Sequence, residues 1–150
     1  MADRRHAAVM LLALGCSSPP PSKLPRSNLL RYSESGMASG ASFVIRQNGT
    51  VVYESTVGER TVRVDAKVTQ DELDELSTAL HTNACCSVAS ETKRAKPDEA
   101  RPSYSVRMGD LDCEIVLSAS DVAASPEAQA CTKVLHTFGE KVASKSTSAE

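Results

Sequence analysis

The side chains best suited to chemistry in this chain are its cysteines and histidines, five and three in 150 residues. A metal reading would gather His81, Cys85, Cys86, Cys113, Cys131 and His136. Their spacing fits no common zinc pattern, and the adjacent Cys85-Cys86 pair is not the usual C-x₂-C. No metal site is therefore assigned, and both histidines read as solvated side chains at helix ends. A cysteine nucleophile served by a histidine is also disfavoured, because the thiols fall at core positions of their elements. Nucleophile elbows of the G-x-S-x-G type, P-loops and G-x-G-x-x-G turns are absent. Asp71, Glu72, Asp74 and Glu75 offer carboxylates for general acid–base work. Their place at a helix start instead suits them to balance the helix dipole. The expectation is a protein that is not an enzyme, with no catalytic residue and no cofactor.

Cys16 is different. Arg4, Arg5 and His6 precede an uninterrupted apolar or small run over residues 7–15. That run has the length of a secretory core segment, roughly 7–15 residues, and is short of the about 20 needed to span a bilayer. It ends in Leu12-Ala13-Leu14-Gly15-Cys16, which resembles a lipobox, with Ala13 where leucine is usual. The resemblance implies a signal peptide over residues 1–15, removal before Cys16 and lipid on the Cys16 sulfur. Two or more acyl chains hold a protein stably at a membrane. Ser17 stands where an inner-membrane retention signal would have aspartate. The expected location is the bacterial cell envelope, periplasm-facing, with the outer membrane favoured over the inner. The partners are then the membrane, through Cys16, and a protein still to be named.

Export decides how the other four cysteines are read. Cys85, Cys86, Cys113 and Cys131 form an even set, the signature of disulfides in an oxidising compartment. A bridge between neighbours is strained, so either Cys85 or Cys86 pairs with Cys113 and the other with Cys131. Cys113 and Cys131 both point inward and could equally bond to each other or remain inert core residues. Removing Asp3, Arg4 and Arg5 from the 17 basic and 19 acidic residues leaves 15 and 18, a net charge of about −3. That balance gives no basic stripe and no nucleic-acid partner. Aromatic residues are few and Trp is absent, so an aliphatic core is expected.

The elements that must position these residues are legible in outline. Residues 16–28, with the Pro19-Pro20-Pro21 run, read as a lipidated cysteine followed by an extended linker. A single domain is expected over residues 29–143, followed by a disordered tail over 144–150. Residues 29–33 suggest a first strand, and 36–42 a glycine-bearing turn. Residues 43–47 and 50–55 flank Asn48-Gly49, which suits a type I′ hairpin. Residues 60–66 alternate as a fourth strand. Thr69 and Glu72 form a capping box for a helix, with Val68 and Leu73 at staple positions and Leu73, Leu76 and Leu80 as its core stripe. Residues 91–102 read as a charged loop. A second hairpin turns at Gly109-Asp110, pairing 108 with 111, 106 with 113 and 104 with 115. Ser125 and Pro126 start a last helix that buries Cys131, Val134, Leu135, Phe138 and Val142. The fold class expected is α+β: an antiparallel sheet built from hairpins, with two helices packed on one face.

Two family resemblances follow from this layout, both over about residues 29–142. Asn48-Gly49-Thr50-Val51-Val52-Tyr53-Glu54, then Thr69 with Leu73, Leu76 and Leu80, resemble a lipoprotein-associated domain family of unknown function. The order of elements also resembles emfourin-type inhibitors of thermolysin-like metalloproteases. Those carry a Gly-Gly-Phe-type turn where this chain has Ser35-Gly36-Met37-Ala38-Ser39-Gly40. The first resemblance implies a non-catalytic interaction domain of unknown partner. The second implies protease inhibition. Gly36, Met37, Ala38, Ser39 and Gly40 are the candidate partner-contact loop, and an inhibitor would present the 36–42 turn or the 91–102 loop to its protease.

Overall fold

Alternating apolar residues along six segments build one sheet in the computed structural model, which describes residues 19–36, 39–89 and 101–145. The strands are β1 (Asn28–Ser35), β2 (Ser39–Arg46), β3 (Thr50–Val57), β4 (Arg60–Lys67), β5 (Ser103–Met108) and β6 (Leu111–Val116). Their order is β4-β3-β2-β1-β5-β6, and every neighbouring pair is antiparallel. The first four strands form a meander. Helix α1 (Gln70–Thr82) then carries the chain back across the sheet, so that β5 pairs with the free side of β1. Helices α2 (Ala119–Ala124) and α3 (Pro126–Ser144) follow β6. The fold is α+β, as the pattern of hairpins and helices predicts.

Side chains alternate between the two faces of a strand, so one face of the sheet collects the apolar residues. Leu30, Tyr32, Phe43, Ile45, Val51, Tyr104, Val106, Cys113 and Ile115 are buried there in one cluster with Leu73, Leu76, Leu80, Leu135, Phe138 and Val142 of the helices. The core is largely aliphatic, as expected, but aromatic residues are its largest members. Tyr32, Tyr104 and Phe43 are the largest fully buried side chains, and Phe43 sits 5.5 Å from Tyr32 and 5.3 Å from Phe138 between ring centroids. Few aromatics are present, but each buries more area than an aliphatic residue, so they occupy the centre. Gly139 of α3 lets this happen: a Cβ there would lie 3.3 Å from both the Phe43 and Tyr53 rings.

The capping box of α1 forms as the sequence predicts, with the Thr69 side chain accepting from the Glu72 amide and the Glu72 carboxylate accepting from the Thr69 amide. The Gly109-Asp110 turn gives the predicted register, Met108 to Leu111, Val106 to Cys113 and Tyr104 to Ile115. The Asn48-Gly49 turn differs from expectation. Gly49 has φ +80° but Asn48 does not have positive φ, and the Gly49 amide donates to the Arg46 carbonyl at 3.0 Å. The loop therefore spans residues 47–49 and closes with a left-handed glycine, a three-residue hairpin in place of type I′. Only glycine fits, because a Cβ would also meet the Val68 carbonyl at 3.1 Å. Helix α2 was not expected. Ser118 caps it in a box with Asp121, but six residues are too few to show an apolar period.

The expected linker needs a larger correction. Residues 20–28 are strapped onto the domain: the Glu114 amide donates to the Pro20 carbonyl at 3.0 Å, and the Ser22 amide to Asp112 Oδ1 at 2.9 Å. Arg107 donates to the Ser22 carbonyl at 3.1 Å, and Leu24 is buried. The physical reason is the exposed backbone of edge strand β6, which this segment covers. At the other edge, β4 carries Arg60, Arg63, Asp65 and Lys67, charges that discourage pairing with another chain. Residues 90–100, most of the expected charged loop, and residues 146–150 of the expected tail lie outside the described residues. Among the described residues no helix is long and apolar enough to cross a membrane.

Candidate functional site

The cysteines come together around a single 3-10 turn, Cys85–Ser87. Cys85 bonds to Cys131 of α3, with Cα atoms 5.6 Å apart, and Cys86 bonds to Cys113 of β6, with Cα atoms 5.5 Å apart. Adjacent residues on such a turn point in different directions, so one reaches the helix and the other the sheet. The alternative pairing of Cys113 with Cys131 does not occur. Tyr104 Oη donates to the Cys85 carbonyl at 2.6 Å and ties β5 to the same turn. Burial pushes the Tyr104 phenol pKa well above its ordinary value. These sulfurs serve structure: three of the four residues are at most 1% exposed.

Among the described residues no group of three or more His, Cys, Asp or Glu side chains is gathered as a metal site. His81 lies in the last turn of α1, 3.9 Å from Asp110. His136 is not at a helix end, as expected, but in the middle of α3, where Nδ1 lies 3.5 Å from Glu140 Oε1. Of the acidic start of α1, Glu72 is tied to the cap and to α3. Glu72 accepts from Lys145 Nζ at 2.8 Å and lies 3.6 Å from Lys141 Nζ, joining the start of α1 to the end of α3. The Lys145 hydrogen bond, then the Thr69 amide, hold its pKa down at about 2.

A concave surface lies where β1 and β2 leave the cover of α3. Two clefts of about 340 and 270 Å³ meet there, and Glu34 and His136 line both. Core-facing alternation along β1 places Tyr32 inside and Glu34 at the rim, so that Tyr32 Oη donates to Glu34 Oε2 at 2.7 Å. Burial first, then this carboxylate, raises the Tyr32 pKa far out of its ordinary range. The phenol therefore stays protonated and acts as a fixed donor. Pro102, Val122, Thr132 and Lys133 form one wall, and Gly40, Ala41, Tyr53 and Ser55 the other. A carboxylate and an exposed imidazole over a small-residue floor can hydrogen-bond a basic or polar side chain from a partner.

The candidate partner-contact loop borders this cleft, with one correction. Ser39 and Gly40 belong to β2, pairing with Val57 and Thr56, because the strand extends to the end of its partner. The Gly36 amide donates to the Ser39 carbonyl at 2.9 Å. Met37 and Ala38, like Cys16, lie outside the described residues. A separate groove of about 480 Å³ runs between α1 and α3, floored by Leu76, Ala79, Val134 and Phe138. The sequence pattern marked Val134 for burial, but it is only half-buried because it lines this groove. Sequence reasoning missed Glu34 and His136 as neighbours; no local motif links residues 102 positions apart. Compared with known proteins, the chain matches no family model and no curated protein.

Proposed function

We propose that this protein is an exported lipoprotein, held at a membrane by lipid on Cys16, whose domain is a non-catalytic interaction module. The observation that carries the reading is the pair of disulfides that use all four cysteines other than Cys16. Buried disulfides persist in oxidising compartments, which is where the Leu12–Cys16 signal would deliver the chain. The domain then faces the periplasm, with the outer membrane favoured. Its partner surface is the Glu34–His136 cleft with the rim at Gly36, Ser39 and Gly40.

Site-specific photo-crosslinking in the native membrane tests this. A crosslinker at Thr132 or Lys133, on the cleft wall, should give a discrete protein adduct, and one at Glu59 on the far hairpin should not. Adducts only from Glu59, or none from either cleft position, would refute the assignment of the cleft.

A further inference from the structure

The strap over β6 has a consequence for how the domain sits. Pro20 is pinned by its carbonyl to Glu114, four residues after Cys16. Four residues reach at most about 14 Å fully extended. Six strands spaced about 4.8 Å apart make a sheet roughly 24 Å wide. A lipid on Cys16 would hold the β6 edge within less than one sheet-width of the bilayer, with no long tether between them.

The charge on the two sides of the domain is unequal. The face of the sheet away from the helices carries Arg31, Arg46, Arg63, Lys67 and Arg107 against Glu54, Asp65, Asp112 and Glu114. Lys23 and Arg26 of the strap add two cations at its border. The strap engages both signs at the β6 edge of that face, its amides donating to Asp112 and Glu114 and its carbonyls accepting from Arg107, which leaves Arg31 and Arg46 as the cations of the open centre. Helices α1, α2 and α3 carry seven carboxylates against three lysines, counting Lys145 at the end of α3. At the centre of the open face, Arg31 stands opposite Val44 of β2, and Val44 opposite Val52 of β3. Arg31 and Arg46 are exposed, and among the described residues neither forms an ion pair, while Val44 and Val52 are half-buried. Guanidinium groups around a shallow apolar strip suit an anionic lipid surface, with phosphates above the arginines and the valines toward the headgroups.

We propose that the open face of the sheet lies on the anionic lipid surface of the membrane that holds Cys16, with Arg31 and Arg46 against lipid phosphates. The helices and the Glu34–His136 cleft then remain accessible from the periplasm. This inference rests on the lipoprotein reading.

The test uses the mature, lipidated full chain in vesicles, with arginines labelled by phenylglyoxal and counted by peptide mass spectrometry. In vesicles of phosphatidylethanolamine with phosphatidylglycerol, Arg31 and Arg46 should label about fivefold more slowly than in phosphatidylcholine vesicles, the factor that one cation at an anionic surface contributes. Arg60, on the helix side of β4, should label equally in both. Salt at 1 M, where the screening length is about 3 Å, should remove the protection. Equal labelling of Arg31 and Arg46 in the two vesicles, protection of Arg60 instead, or protection that survives salt would overturn the inference. The intact mass separates the two levels: a chain without lipid overturns both readings, whereas a lipidated chain with unprotected arginines overturns this one alone.

Discussion

Glu72 should set the acid limit of the fold. Its carboxylate accepts from the Thr69 amide and from Lys145 Nζ, both at 2.8 Å, and its side chain is 16% exposed. Folding lowers its pKa from 4.5 to about 2. The depressed value means that the stabilisation is fully present above pH 4.5 and is lost as pH falls from there toward 2. Each unit corresponds to about 1.4 kcal/mol, a ceiling of roughly 3.4 kcal/mol. Lys145 and Lys141 are 30% and 53% exposed, so solvent screening reduces this to about 2 kcal/mol. Glu72→Gln keeps an oxygen for the capping box and removes only the charge. Urea denaturation of wild type and variant from pH 7 to pH 3 should show a loss of about 2 kcal/mol at pH 7 and less than half of that at pH 3. An equal loss at both pH values would refute the reasoning, because it would place the effect in hydrogen-bond geometry and not in charge.

Peptide mapping under non-reducing conditions should recover Cys85 with Cys131 and Cys86 with Cys113; the crossed pairs would contradict the path of the 3-10 turn. Replacing Cys85 and Cys131 together with alanine opens a loop with a sequence separation of 46 and should cost about 4 kcal/mol, measured by denaturant unfolding. Gly139→Val drives a branched side chain into Phe43 and Tyr53 and should cost about 2–3 kcal/mol, while a cost below about 0.5 kcal/mol would show that α3 can shift without penalty. Cys16→Ser should abolish lipid labelling and signal removal together, read by radiolabelled fatty acid and intact mass; labelling that persists would move the anchor elsewhere. A thermolysin-like protease should keep its activity in micromolar protein, and inhibition would shift the reading toward the emfourin-type family.

Much of this molecule was legible locally. The α1 capping box, the register of the Gly109-Asp110 hairpin and the inward direction of Cys113 and Cys131 all follow from periods of 2 and 3.6 and from side-chain bonds between residues three apart. These signals lie within a few positions of one another, where sequence spacing is spatial spacing. The exported-lipoprotein expectation likewise rests on one contiguous stretch, residues 1–16. The tertiary structure decided whatever depended on distant segments meeting. It chose among the cysteine arrangements that the sequence left open, because the direction of the turn at Cys85–Ser87 sends one thiol to α3 and the other to β6. It turned a proline-bearing linker into a strap, because an uncovered edge strand offers its backbone groups to whatever lies near. It brought Glu34 to the cleft of His136, since β1 and α3 are neighbours only in space. And it assembled Arg31 and Arg46 on one face, a charge asymmetry that a net charge of −2 over the whole chain conceals.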